Sequence, residues 1–247
     1  MWRNISLRNA YETSRAMEAN SVYGWHNDNR VDTHMIKNTE WGAVAYLSKS
    51  IYGKEDEIWI NPSDNYTTGC AGATPNANST VGCIYEYSTN NGVKASTTGN
   101  IYGIYDMSGG AYESVMGNYN NIGSFSGWSN AEVADLPDKY IDRYYTEAGN
   151  MLNGTGMNYD FTIKGDAIHE TSYEAARWNG STWIGNSDSS WYSSHSNLPR
   201  SDAPWFERSG GYGSGSLSDI YAYVISYGSD IFDHTSFRPV VIVDSEI

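Results

Sequence analysis

Beyond Gly53, the apolar residues of this chain occur only in short pieces separated by Gly, Asn, Ser and Pro. Short apolar pieces bounded by turn-forming residues favour β-strands over helices. These pieces cover residues 58–60, 84–87, 112–115, 205–207, 220–224 and 237–243. Helical patterning is confined to the first quarter of the chain. The order of elements therefore predicts an α+β fold with short, twisted antiparallel strands and long loops, and disfavours an alternating βαβ arrangement.

Two segments near the N-terminus have helical periodicity. Between Leu7 and Asn20, apolar residues recur every three to four positions, which places them on one helix face. A second helix is predicted from Asn38, with Asn38 or Thr39 as its cap, Glu40 in its first turn and Gly53 at its end. Its expected buried stripe consists of Trp41, Val44, Ala45, Leu47 and Ile51.

A further stretch, residues 130–145, mixes apolar with acidic residues. Pro137 argues against a single helix through it, and we expect a solvent-exposed excursion. No low-complexity linker divides the chain. We interpret residues 1–247 as one domain, in which residues 1–33 are either part of the fold or an N-terminal extension.

Few aliphatic side chains are available for a core. Leu, Ile, Val and Phe make up 40 of the 247 residues, a share that by itself is typical of disordered chains. The chain also has 21 Tyr and 9 Trp, whose rings can bury large apolar areas. We therefore expect a folded domain with an aromatic core.

The formal net charge of −14 disfavours nucleic acid and anionic membranes as partners. No stretch approaches the roughly 18 consecutive apolar residues that cross a bilayer, so no direct membrane insertion is predicted. The first residues do not resemble a secretion signal, although richness in Asn, Ser, Thr, Tyr and Gly is typical of exported proteins. We interpret the chain as part of a longer protein that is extracellular or displayed on a bacterial surface or phage particle.

The two cysteines, Cys70 and Cys83, flank a stretch rich in Pro, Asn and Ser. Such a pair suits a loop-closing disulfide in an oxidising compartment, and two reduced thiols are the alternative. A zinc site is disfavoured, because neither a second close pair of cysteines nor a nearby histidine completes a ligand set.

Three motifs carry a resemblance to a known family. Residues 99–117 read GNIYGIYDMSGGAYESVMG, residues 205–211 read WFERSGG, and residues 236–239 read SFRP. In order and spacing they resemble the NxxGLYDMxGNVWEW, RGG and GFR motifs of the formylglycine-generating-enzyme (sulfatase-modifying factor) family. That family is a branch of the C-type lectin fold, so the resemblance implies such a fold over residues 34–243.

The resemblance leaves the role of Glu113 open. The equivalent glutamate of the family can bind calcium, but the family's asparagine three residues earlier is Gly110 here. The alternatives are that Glu113 accepts hydrogen bonds from loop amides or pairs with Arg208 or Arg238. We expect no cofactor and no metal, with calcium as the low-ranked alternative.

The family's oxidative chemistry is not expected in this chain. It relies on cysteines near the C-terminal end, and no cysteine follows Cys83. The five histidines are scattered, and no serine lies in a nucleophile elbow. We therefore predict no enzyme activity and no catalytic residues, with a divergent formylglycine-generating-type enzyme as the least favoured alternative.

Residues 212–236 use a restricted set of amino acids. Lys, Glu, Met and Trp make up 35 of the 247 residues, yet none occurs in this segment. None of the four can be encoded by a codon that ends in a pyrimidine, whereas every residue present can. Randomisation of adenines in codons such as AAC leaves this bias. The segment thus resembles the variable proteins of diversity-generating retroelements, and an ordinary Gly-, Ser- and Tyr-rich loop is the alternative.

The composition of the segment suits recognition of a ligand. Tyrosine offers rigid contact area with a polar tip, and Ser and Gly give adaptable hydrogen bonding, as in antibody loops. We predict a non-enzymatic, receptor-type domain that binds a protein ligand or cell-surface receptor. The candidate contact residues are Tyr212, Ser214, Ser216, Asp219, Tyr221, Tyr223, Ile225, Tyr227, Asp230, Phe232, Asp233 and His234.

A carbohydrate-binding module is the main alternative. Exposed Trp and Tyr rings stack on sugars, and the natural platform here consists of Trp183, Trp191, Tyr192 and Trp205. The competing interpretation is that these rings belong to the core.

Overall fold

The computed structural model describes residues 2–26, 28–78, 82–145, 165–168, 177–178, 183–184, 195–229 and 231–244. Three α-helices are present in these ranges: α1 (Leu7–Ala16), α2 (Asn38–Ser48) and α3 (Asn130–Asp135). The strands are β1 (Val31–Met35), β2 (Tyr112–Tyr119), β3 (Asp142–Tyr144), β4 (Arg177–Trp178), β5 (Trp183–Ile184), β6 (Trp205–Arg208), β7 (Tyr223–Ser226), β8 (Thr235–Phe237) and β9 (Pro239–Val243). The α+β class is confirmed.

Both predicted N-terminal helices form. The side chain of Ser6 caps α1 by accepting a hydrogen bond from the Asn9 amide at 3.4 Å. At α2 the capping residue is Lys37, one position earlier than expected, and its amide donates to Glu40 Oε2 at 2.8 Å. The carboxylate of Glu40 thereby satisfies an amide that has no partner within the helix.

A five-stranded sheet forms the centre of the fold. Its order is β3–β2–β6–β7, and β8 pairs with the first residues of β2. Strand β6 is antiparallel to both β2 and β7, but β3 and β8 run parallel to β2. The expectation of antiparallel strands therefore holds for part of this sheet only. The first and last strands, β1 and β9, form a separate antiparallel pair.

The core is aromatic, as the composition predicts. Trp41, Trp205, Tyr144, Tyr221 and Tyr223 are among the largest fully buried side chains. One cluster packs α2 against the sheet, and a second packs α1 against β1, β2 and β6. Because α1 contributes buried side chains to the second cluster, the N-terminal residues take part in the core.

Residues 130–145 are not a solvent-exposed excursion. They form α3, a 3-10 turn and β3, and they bury Val133, Ile141 and Tyr144. The helix α3 ends before Pro137, as the proline requires. The acidic residues misled the prediction because Glu132, Asp135 and Asp138 are exposed on a stretch whose apolar residues reach the core, and Asp142 accepts a hydrogen bond from the Thr39 amide.

Three other local predictions were wrong. Helix α2 ends at Ser48, and Leu47 and Ile51 of its expected buried stripe are 60% and 80% exposed. Residues 58–60 and 84–87 form no strand. The isoleucines at 58 and 60 are nevertheless buried, because loops can fill a core without ladder pairing.

Cys70 and Cys83 form a disulfide with a Cα–Cα distance of 5.4 Å. This decides between the two alternatives that the sequence left open. In the part of the chain described, no helix is long and apolar enough to cross a membrane.

Candidate functional site

A buried ion pair lies at the start of β2. Arg238 donates from Nε to Glu113 Oε2 at 3.0 Å and from a terminal nitrogen to Glu113 Oε1 at 2.7 Å. Of the alternatives for Glu113, the structure shows the pair with Arg238. Burial raises the pKa of the Glu113 carboxyl, and the guanidinium opposes this shift. Across the described ranges, no group of three or more His, Cys, Asp or Glu side chains is arranged to hold a metal ion.

The other candidate arginine has a different role. Arg208 is fully buried and donates to Asn38 Oδ1 and to the carbonyls of Asp166 and Ala167, at 3.2–3.3 Å. It therefore holds α2 and a neighbouring loop on the sheet. Together the two arginines make the start of β2 a rigid base for the residues above it.

Both ends of residues 212–236 meet at Tyr112, the first residue of β2. The Tyr212 amide donates to the Gly110 carbonyl at 2.7 Å, and the hydroxyls of Tyr112 and Ser214 lie 3.1 Å apart. From the other end, the His234 carbonyl accepts a hydrogen bond from the Tyr112 amide at 2.9 Å. Residues that are 22 positions apart in sequence thus form one surface.

Five rings form this surface, which we call the aromatic face: Tyr66, Tyr112, Tyr212, Phe232 and His234. Tyr66 and Tyr212 meet edge to face at 5.3 Å between ring centroids, as do Tyr112 and His234 at 6.1 Å. Phe232 and His234 are stacked at 5.0 Å. The Phe232 side chain is 51% exposed, so a large apolar ring is presented to solvent beside polar groups.

Tyr66 lies in the loop between Asn61 and Gly69, just before the disulfide-bonded Cys70. Buried Asp106 accepts hydrogen bonds from Asn61 Nδ2 at 2.7 Å and from the Gly69 amide at 3.1 Å. The backbone of Asp106 is left-handed, with φ of 63°, and this conformation aims the carboxyl at the loop. Burial raises the pKa of Asp106, opposed by the hydrogen bond from Asn61.

Six predicted contact residues lie at or next to the aromatic face. They are exposed or half-buried, and they come from the two ends of the segment: Tyr212, Ser214, Ser216, Phe232, Asp233 and His234. Ile225 is half-buried within β7. Asp230 lies outside the described residues.

Three predicted contact residues are part of the core, and that prediction was wrong for them. Asp219 is buried, and its Oδ1 accepts hydrogen bonds from the amides of Tyr221 and Ala222 in a tight turn. Tyr221 and Tyr223 are 1% and 0% exposed. These side chains are buried because the middle of the segment runs as the edge strand β7 over the main cluster.

Tyr227 lies away from the aromatic face. It follows β7 at the end of the sheet where Ser226 pairs with Trp205, whereas the aromatic face lies at the end where Tyr223 pairs with Arg208. Its ring is 39% exposed and lies 6.4 Å from that of Phe125, which is 70% exposed. The two form a second, separate aromatic pair.

Sequence reasoning missed Arg3, Tyr66 and Tyr112 as members of this site. The guanidinium carbon of Arg3 lies 4.0 Å from the centroid of the Tyr66 ring, and Arg3 donates to the Asp233 carbonyl at 2.5 Å. No local pattern predicts a contact across 230 positions. Tyr66 lies four residues before Cys70, outside the loop of residues 70–83 that the disulfide closes, so the predicted disulfide did not indicate it either.

Of the platform expected for sugar stacking, the structure describes the side chain of Trp205 only. Trp205 is fully buried and donates from Nε1 to the Gly123 carbonyl at 3.1 Å, so it belongs to the core. Trp183 lies in β5, and Trp191 and Tyr192 lie outside the described residues.

These observations define an α+β domain with an exposed aromatic surface on a rigid, ion-paired base. Neither a family model nor a curated protein matches the chain.

Proposed function

We propose that this chain is a non-enzymatic, receptor-type domain of C-type lectin-like fold, and that the aromatic face is its recognition surface. One observation carries the proposal: both ends of the segment with the restricted set of amino acids converge on Tyr112. They form a cluster of rings in which Phe232 is exposed and Tyr112, Tyr212 and His234 are half-buried. Exposed rings on a rigid base give large contact area at small entropic cost, which favours a protein as the partner.

The pattern of burial also supports diversification of the segment by a retroelement. Six candidate contact residues towards the two ends of the segment are exposed or half-buried, whereas Asp219, Tyr221 and Tyr223 between them are buried. A binding surface can vary on an unchanged scaffold only if its variable residues reach solvent and the residues that support the core stay constant. In this proposal the domain is displayed on a bacterial surface or phage particle as part of a longer protein.

The gene's neighbourhood tests the diversification. We expect a near-copy of the DNA for residues 212–239, beside a reverse transcriptase, with adenines at the differing positions. The differences should fall on codons for exposed residues such as Tyr212, Ser214 and Phe232, and spare those for Tyr221 and Tyr223. Absence of the copy would overturn the diversification and leave an ordinary loop.

Binding itself is tested on an array of purified bacterial surface proteins and, in parallel, on a glycan array. We expect signals on the protein array that Phe232→Ala and Tyr212→Ala abolish. Tyr227→Ala is the matched control, because it removes an exposed ring of the same segment outside the aromatic face. Binding that survives both face variants, or that occurs on glycans only, contradicts the proposal.

A further inference from the structure

One position on the aromatic face is occupied by a cation from the chain itself. The guanidinium of Arg3 lies over the Tyr66 ring at 4.0 Å from its centroid, an arrangement in which the ring quadrupole attracts the charge. Within the described residues, the Arg3 guanidinium donates one hydrogen bond, to the Asp233 carbonyl at 2.5 Å. Tyr66 is only 8% exposed in this arrangement.

The segment that carries Arg3 is attached to the face by few contacts. Arg3 forms an isolated bridge with Ser236, and the Asn4 amide donates to the Phe232 carbonyl at 3.3 Å. Asn4 has a left-handed backbone, with φ of 58°, which for a residue other than glycine is a conformation of higher energy. Trp2 packs on Phe237 yet remains 51% exposed. Exchange of this segment for a ligand therefore breaks few interactions.

The carboxylate beside Arg3 remains available. Among the described residues, no carboxylate lies within 4 Å of the Arg3 guanidinium. The Asp233 side chain is 72% exposed, and its carboxylate lies 3.4 Å from His234 Nδ1. A cation that reached both the Tyr66 ring and this carboxylate would gain an interaction that Arg3 lacks. The net charge of −14 also attracts basic ligands to the domain.

We propose that the aromatic face binds a basic side chain, arginine or lysine, of its protein ligand on the Tyr66 ring, and that Arg3 occupies this position in the free protein. Arg3 then acts as a built-in competitor that a ligand displaces. This inference rests on the proposed function, because it names the chemistry that the same surface recognises.

The test uses acetyl-arginine amide as the probe, with the neutral isostere acetyl-citrulline amide as its control. Binding to the whole chain is measured from the probe's own NMR signals, which can be followed in the wild type and in every variant. Arg3→Gln should bind the arginine probe about two- to fivefold more tightly than wild type, since the competing contact is removed. Tyr66→Ala should lose this binding, and Tyr66→Phe should keep it.

Equal binding of arginine and citrulline probes, or no gain in Arg3→Gln, overturns the inference. A melting curve of Arg3→Gln shows whether the domain remains folded, and Arg3→Lys, which keeps the charge, should bind the probe like wild type. The two proposals can fail separately. Protein-array signals that depend on Phe232 but are not reduced by excess arginine probe refute only the basic ligand, whereas probe binding without array signals refutes only the protein receptor.

Discussion

Truncation of Tyr223 to alanine tests whether this tyrosine of residues 212–236 supports the core or forms part of the contact surface. Its side chain is fully buried in β7, and its ring centroid lies 6.1 Å from that of Phe206. Removing a buried aromatic ring lowers the free energy of unfolding by about 3–5 kcal/mol, because transfer energy is lost and a cavity remains. For a chain of this length the melting temperature should fall by on the order of 10 °C, as measured by calorimetry.

Tyr227 provides the matched control, since it follows β7 directly and its side chain is 39% exposed. Surface substitutions usually change stability by about 0.5 kcal/mol or less, so Tyr227→Ala should melt within about 2 °C of wild type. Equal melting temperatures for Tyr223→Ala and wild type would refute the reasoning. In that case Tyr221 and Tyr223 would return to the contact surface.

Three further predictions concern the base of the aromatic face. Glu113→Gln leaves the Arg238 guanidinium without its counter-charge and should cost about 3–5 kcal/mol in urea unfolding, and an unchanged urea midpoint would contradict the ion pair. Reduction of the Cys70–Cys83 disulfide should lower the free energy of unfolding by about 2–4 kcal/mol, so dithiothreitol should lower the melting temperature of the wild type. Dithiothreitol should leave the melting temperature of a double-serine variant unchanged. Burial raises the pKa of Asp106, so its folded carboxyl holds a proton more tightly than the unfolded one. Its contribution to stability is full below the ordinary aspartate pKa of 3.8 and is lost as pH rises through the raised pKa. Asp106→Asn should lessen this decline in pH-dependent urea midpoints, and an identical pH profile would count against it.

The local sequence pattern predicts those elements whose conformation depends mainly on neighbouring residues in the chain. Helix α1 has apolar residues on one face and a serine cap, and β2 and β6 are apolar pieces between glycines and polar turns. The pieces at 58–60 and 84–87 look the same locally but do not form strands, and the pairing of the second is an isolated bridge between Tyr85 and Ala71. Parallel pairing of β8 with β2 joins residues more than a hundred positions apart, and nothing in either segment indicates it.

The candidate site was predictable as a segment but not residue by residue. The restricted set of amino acids identifies residues 212–236, yet it is the same for exposed Phe232 and for buried Tyr223. Burial depends on which neighbours the fold brings close, and the aromatic face takes Arg3 and Tyr66 from distant parts of the chain. Those two residues lie outside the segment, so a compositional signal confined to it could not include them.

The buried middle of the segment limits what diversification can do. A codon change at Tyr223 to His, Asn or Asp would place a polar group in the main core cluster without a designed partner, at a cost of about 1–3 kcal/mol beyond the lost ring. Substitution of Asp219 should also be destabilising, because its carboxylate accepts hydrogen bonds from two backbone amides in a buried turn. The exposed ends have no such constraint, since Phe232 and Ser216 face solvent. Selection for a folded domain would therefore concentrate surviving changes at the two ends, which are the parts of the segment that meet at Tyr112.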